Sequence, residues 1–113
     1  MSSVELNHLT FEPFLSNHKI AVVHFWAKWN GYDSEMTTFL NDRLPEELKA
    51  TIAFGRLEID PKEHWPICLR LRVFSVPFLA LYRNGVLAGS IVGLLKAEIL
   101  KRLSELIRPD SPE

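Results

Sequence analysis

A chain of 113 residues, 47% hydrophobic and 24% charged, is long enough to bury one hydrophobic core and too short for two domains. Its 13 basic and 14 acidic side chains give a formal charge of -1, which excludes the basic surface of a protein that binds nucleic acid or anionic membranes. The amino end lacks a basic region followed by an apolar run, and no apolar stretch approaches the roughly 18 residues of a membrane helix. We therefore expect a soluble cytoplasmic protein, with a single domain over residues 1–108 and a short tail over residues 109–113.

The sulfur and imidazole content limits the chemistry of the chain. Cys68 is the single cysteine, whereas an internal disulfide or a thiolate metal cluster needs at least two sulfurs. The histidines show no metal-ligand spacing on one helical face or in a tight turn; they are His8, His18, His24 and His64. The sequence therefore predicts no metal site and no cofactor.

The first elements lead to a buried strand. The segment VEL at 4–6 is a candidate edge strand, and Thr10 is a candidate cap for a short helix that extends to about residue 17. The run IAVVHFW at 20–26 is nearly continuous in apolar and β-branched residues, which is typical of a strand covered on both faces. His24 is its only polar member, and Trp26 is predicted to lie in the core.

The middle of the chain alternates helical and extended patterns. A helix is predicted over about 33–40, and Pro45 is expected to interrupt it before a second helical turn. The run TIAFGRLEID at 51–60 predicts a strand that breaks near Gly55, and a short helix should follow over 62–71.

A hairpin and a helix complete the domain. Asn84-Gly85 separates VPFLALYR from VLAGSIVG, and Asn-Gly readily supplies the positive φ angles of a two-residue turn. The last helix is predicted over 96–107, where one apolar stripe is formed by Ile99, Leu100, Leu103, Leu106 and Ile107. Long crossovers followed by a hairpin predict a mixed sheet with helices on both faces.

Four segments, in this order and spacing, resemble the thioredoxin family over nearly the whole chain: VVHFWAKW, RLEID, VPFLALYRNG and the Val92-Gly93 step. The resemblance implies an α/β protein with the thioredoxin fold, in which a mixed central sheet of four to five strands is flanked by helices on both faces. It also implies that Pro77 is the family's cis proline, Gly85 its hairpin glycine and Gly93 the glycine that faces the active-site turn.

The turn after the buried strand departs from the family. Where the family has Trp-Cys-Gly-Pro-Cys, this chain has Trp29, Asn30, Gly31, Tyr32 and Asp33. The first family cysteine attacks a substrate disulfide as a thiolate and the second resolves the mixed disulfide, which an amide and a carboxylate cannot do. The position of the family's buried acid is occupied by His24. We therefore expect no disulfide reductase of the thioredoxin type.

The resemblance places His24 near Asp33 beneath the turn. One hypothesis is a hydrogen bond between the two side chains, direct or through one water, because buried polar groups that satisfy each other are less costly than either alone. The alternative is that Asp33 caps its own helix while His24 bonds a backbone carbonyl.

The family also uses a substrate groove, which the missing sulfurs do not remove. An extended segment crosses the turn there and pairs with the backbone before the cis proline. In this chain the groove would be formed by Trp29, Tyr32, Val76, Pro77 and Gly93.

The leading functional hypothesis is a redox-inactive protein-binding or accessory module. Its partner would be a protein, an extended peptide segment or a second copy of the chain. One alternative is a thiol-disulfide oxidoreductase or glutathione-linked protein of cell redox homeostasis that acts through Cys68, although an inert, half-buried thiol is the simpler interpretation of that residue. The other is a chaperone-like or maturation subunit of a larger complex.

Overall fold

The computed structural model describes residues 3–109 and contains a five-stranded sheet in the order β1-β3-β2-β4-β5. The strands are β1 (Val4–Glu5), β2 (Ile20–Trp26), β3 (Ala53–Glu58), β4 (Phe78–Arg83) and β5 (Val86–Val92). The helices are α1 (Phe11–Ser16), α2 (Tyr32–Thr38), α3 (Glu46–Thr51), α4 (Trp65–Leu71) and α5 (Lys96–Leu106). Of the predicted tail, residues 110–113 lie outside the described residues.

Strand β2 is the centre of the sheet. It runs parallel to β3 and antiparallel to β4, while β1 pairs with β3 and β5 pairs with β4 at the two edges. Residues 20–25 of β2 are all buried, because helices cover both faces of the strand. The predicted α/β thioredoxin fold with a mixed, helix-flanked sheet is confirmed.

Alternate residues of β2 enter two separate core layers. Ile20 and Val22 pack with α2, α3 and α5, whereas Val23 and Phe25 pack with α1 and α4. Since side chains alternate along a strand, His24 lies on the same face as Val22 and faces α2. The sheet thus directs this polar residue toward the helix that begins after the turn.

Several local predictions are corrected by the structure. Thr10 occupies the N-cap position of α1 but makes no capping bond; instead Asn7 Oδ1 accepts hydrogen bonds from the Leu9 and Thr10 N–H groups. Strand β3 pairs without a break at Gly55, where the Leu6 side chain packs against the bare Cα. Trp26 is half-buried rather than a core residue, because it lies at the end of β2 beside Arg56.

The helical segments also differ in detail from the expectation. Helix α2 continues into one π-helical turn over Phe39–Arg43, and Pro45 precedes α3 as expected. The segment before α4 starts as a 3-10 turn over Lys62–His64. None of the helices in the described residues is both long enough and apolar enough to span a membrane.

Candidate functional site

The site lies at the carboxyl end of β2, where a tight turn leads into α2. The Asn30 N–H donates to the Ala27 carbonyl and the Asp33 N–H donates to the Asn30 carbonyl, at 3.2 and 3.3 Å. Gly31 is the N-cap residue of α2, with φ of -67°, and a Cβ added to it would meet nothing within 4 Å. The turn is therefore closed by its own backbone and open on its outer side.

Asp33 is the buried anchor of the turn. Its Oδ1 lies 3.1 Å from His24 Nε2, and its Oδ2 accepts a hydrogen bond of 2.9 Å from the Ala27 N–H. The two residues are only 1% and 3% exposed, so neither side chain can exchange these bonds for water. The direct His24–Asp33 hydrogen bond of the first hypothesis is present, and the alternative of a capping Asp33 with His24 on a carbonyl is wrong.

The contact determines where the imidazole proton lies. An ionised carboxylate can only accept, so His24 donates from Nε2–H to Asp33. His24 Nδ1 is buried and has no hydrogen-bond partner within residues 3–109. A bare ring nitrogen is less costly to leave unpaired than a buried N–H, which favours the tautomer with the proton on Nε2.

Asn30 joins the turn to the loop before Pro77. Its Nδ2 donates to the Val76 carbonyl at 2.8 Å, and its Oδ1 accepts from the Tyr32 N–H at 2.8 Å. The Val76-Pro77 peptide bond is cis, and the Pro77 carbonyl accepts from the Gly93 N–H at 2.8 Å. The structure thus brings the turn, the Val76-Pro77 step and Gly93 together.

Two aromatic side chains of the turn face solvent. Trp29 is 67% exposed and Tyr32 is 64% exposed. The Trp29 indole is held at one end, since its Nε1–H donates to Asp60 Oδ1 at 3.3 Å. Of the other groove residues, Val76 and Gly93 are half-buried and Pro77 is buried, so Pro77 can shape this surface but cannot offer a wide contact.

Sequence reasoning missed a cleft beside the turn, which is lined by Ile59, Asp60, Trp65, Cys68, Leu69 and Val73. Trp65 and Leu69 are exposed, and the Trp65 indole donates to the Asp60 carbonyl at 3.2 Å. The cleft lies between the end of β3 and α4. In the sequence, only the segment DPKEHWP, with Asp60 near Trp65, indicated it.

Cys68 lies in the wall of this cleft but is only 7% exposed. Burial raises the pKa of the Cys68 thiol above its ordinary value of 9.0, while a hydrogen bond with its own backbone opposes the shift. A protonated, buried thiol is a poor nucleophile. Within the described part of the chain, no group of three His, Cys, Asp or Glu side chains could hold a metal ion.

Comparison with known proteins agrees with the fold. The Thioredoxin family model matches residues 2–105. Thioredoxin from Haemophilus influenzae is 30% identical over 97 residues, which cover 84% of this chain and 88% of the relative. The bifunctional thioredoxin reductase/thioredoxin of Mycobacterium leprae is 28% identical over 98 residues, or 86% of this chain but 21% of that protein.

Solved structures show the same fold. Thioredoxin f2 from Chlamydomonas reinhardtii superposes with a TM-score of 0.83 at 19% identity, covering 96% of this chain and all of that one. Since the family model spans most of the sequence, the chain belongs to the thioredoxin family.

Proposed function

We propose that this protein has no disulfide-exchange activity and that it binds an extended segment of a protein partner. The binding surface, called here the turn surface, consists of Trp29, Tyr32 and the exposed part of Val76. The proposal combines a fold that supports peptide binding with a turn whose chemistry no longer permits electron transfer.

The proposal rests on the observation that both side chains at the family's cysteine positions form hydrogen bonds within the protein. Asn30 bonds the Val76 carbonyl, and Asp33 bonds His24 and the Ala27 N–H. Disulfide exchange requires a thiolate that attacks one sulfur and a thiol that resolves the product. An amide and a carboxylate held in hydrogen bonds supply neither group.

Cys68 does not replace the missing sulfurs. It is buried, its pKa is raised by burial, and it lies on α4 rather than in the turn. A glutathione-linked reaction would need the Cys68 thiolate to reach a disulfide sulfur of oxidised glutathione or of a partner. We therefore favour contact over thiol chemistry.

Binding at the turn surface is supported by the exposure of its aromatic residues. Tryptophan and tyrosine are enriched among the residues that dominate protein interfaces, because they bury a large area at a small cost in side-chain entropy. The Val76 N–H donates to no acceptor among residues 3–109, so it is available for backbone pairing. The Val76 carbonyl already accepts a hydrogen bond from Asn30, so it is less available to the backbone of a partner. Side-chain contacts would therefore contribute a larger share of the binding free energy.

The redox half of the proposal is tested by insulin disulfide reduction with dithiothreitol as electron donor. The wild-type chain should precipitate insulin no faster than dithiothreitol alone, with a thioredoxin that has both cysteines as the positive control. Catalysis by the wild type that disappears in Cys68→Ser would refute this half and favour the thiol-enzyme alternative.

The binding half is tested by partner capture from the native cell and reconstitution with the purified partner. Trp29→Ala/Tyr32→Ala should lose at least about 1.4 kcal/mol of binding free energy, a tenfold change in Kd. The matched control is Val86→Ala, which removes an exposed apolar side chain from the edge strand β5. Equal binding by the wild type and the double variant would place the interface elsewhere.

A further inference from the structure

The molecule contains an arrangement in which a carboxylate, an indole and a cation meet. Glu5 accepts the Trp26 indole N–H at 2.9 Å with one oxygen and the Arg56 guanidinium at 3.0 Å with the other. The Arg56 guanidinium carbon lies 4.4 Å from the Trp26 ring centroid. The carboxylate thus orients the ring and holds the cation over its face, which is the geometry of a cation–π contact.

At the surface, Asp60 resembles Glu5 in that it accepts hydrogen bonds from indole N–H groups. Its Oδ1 accepts the Trp29 indole N–H at 3.3 Å, and its backbone carbonyl accepts the Trp65 indole N–H at 3.2 Å. Trp29 and Trp65 are 67% and 50% exposed, and Asp60 is exposed as well. No cationic side chain within residues 3–109 forms an ion pair with Asp60. A cation that binds Asp60 in the way that Arg56 binds Glu5 would therefore come from another molecule.

The cleft beside Asp60 adds an apolar position. Its volume of about 290 Å³ is at the lower end of small-molecule pockets, and its wall includes the apolar side chains of Ile59, Leu69 and Val73. Such a cleft accommodates one side chain of a peptide better than a whole ligand. It lies next to the turn surface, because Trp29 and Trp65 both bond Asp60.

We propose that Asp60, Trp29 and Trp65 bind an arginine side chain of the partner segment, and that a neighbouring apolar side chain of that segment enters the cleft. This inference rests on the proposed function and names the chemistry of its partner. Arginine is favoured over lysine because its planar guanidinium stacks on an indole face while it hydrogen-bonds a carboxylate. Alternate residues of an extended segment point to one side, so the apolar residue lies two positions from the arginine.

The test uses two blocked nine-residue peptides that differ in one side chain. Both carry leucine two positions from the variable residue in a Ser/Gly background, and that residue is arginine in one and neutral, isosteric citrulline in the other. Binding is followed by amide and indole N–H chemical shifts of ¹⁵N-labelled protein, which detect weak complexes. The Trp29 and Trp65 indole signals should move, and the Trp26 signal, already engaged by Glu5 and Arg56, is the internal control.

We expect the arginine peptide to bind wild type about tenfold more tightly than the citrulline peptide, since an exposed cation–π contact and an ion pair are both gained. Asp60→Asn removes the ion pair but keeps both indoles, so it should reduce this ratio to about two- to fivefold, and Trp65→Leu should reduce it partly as well. Asp42→Asn is the matched control: it makes the same chemical change at an exposed site outside the cleft and should keep the full ratio.

The inference would be overturned by equal affinities of the two peptides for wild type, by no binding of either peptide, or by an undiminished ratio of affinities in Asp60→Asn. These results are separable from a failure of the proposed function. Loss of binding in the Trp29→Ala/Tyr32→Ala variant tests the turn surface with the natural partner, whereas Asp60→Asn leaves both of those side chains in place.

Discussion

Replacing Asp33 by alanine should remove the acceptor of two buried donors. His24 Nε2–H and the Ala27 N–H both lose their partner, and His24 and Ala27 are each 1% exposed. A buried donor left unsatisfied costs about 1–3 kcal/mol. Relief of the desolvation of the carboxylate offsets part of this cost. We expect Asp33→Ala to lower the free energy of unfolding by about 2–4 kcal/mol.

Asp33→Asn separates hydrogen bonding from simple packing. The asparagine oxygen can still accept from the Ala27 N–H, but its amide then donates to His24 Nε2. The imidazole proton must move to Nδ1, which has no partner in the described structure. We therefore expect Asp33→Asn to lower the free energy of unfolding by about 1–2 kcal/mol. This loss is smaller than that of Asp33→Ala because only one buried donor is left unpaired.

A double-mutant cycle with His24→Leu isolates the contact itself. A hydrogen bond to a charged group is worth about 1.5–3 kcal/mol, so His24→Leu and Asp33→Ala should be less than additive by about that amount. Urea unfolding followed by tryptophan fluorescence measures each free energy, and with an m-value of about 1.5 kcal/mol/M a 3 kcal/mol loss moves the midpoint by about 2 M. The exposed control Asp42→Asn should change stability by less than about 0.5 kcal/mol. Additivity within about 0.3 kcal/mol would refute the proposed coupling.

Three further predictions concern buried groups elsewhere. The raised pKa and burial of Cys68 predict that a disulfide reagent at pH 8 labels the folded chain at least about 100-fold more slowly than the urea-unfolded chain; similar rates would contradict its burial. Burial, as the largest cause, raises the pKa of Tyr82 from 10.0 to about 12, so its stabilisation is complete below pH 10 and is lost as the pH rises through about 12. Between pH 10 and about pH 12, the urea midpoint of Tyr82→Phe should consequently fall less than that of wild type. An equal fall in both proteins would show that ionisation of Tyr82 does not cause the loss of stability. Gly55→Ala would place a Cβ 2.6 Å from Leu6 Cδ1 and should cost about 1–3 kcal/mol in thermal unfolding, whereas Gly31→Ala has open space and should be nearly neutral; equal effects would remove the steric explanation.

Elements with a strong local signal were predictable from sequence. The apolar run of β2 indicated a strand covered on both faces, and Asn84-Gly85 indicated a hairpin; these residues adopt φ of 54° and 78°. The stripe of α5 also predicted its buried face, formed by Ile99, Leu103 and Leu106. In each case a few neighbouring residues contain the information, so no knowledge of distant contacts is needed.

Features that depend on distant partners were predicted poorly. Trp26 was predicted to lie in the core, yet it is half-buried beside Glu5 and Arg56, which come from two other strands. Thr10 has the residue type of a helix cap, but Asn7 supplies the acceptor instead. The cleft at Asp60 was missed for the same reason, since its walls come from the segment after β3, from α4 and from the segment after α4.

The His24–Asp33 pair shows how a resemblance can carry three-dimensional information that local patterns lack. The two residues are nine positions apart, and only the family's known neighbours suggested that they meet. Their contact also has a consequence for the turn. A dithiol changes covalent state with the redox potential, whereas Asp33 holds Ala27 and His24 by hydrogen bonds that contain no oxidisable atom. The hydrogen bonds that hold the turn beneath Trp29 and Tyr32 are therefore independent of thiol redox state, which suits the binding role that we propose for the turn surface.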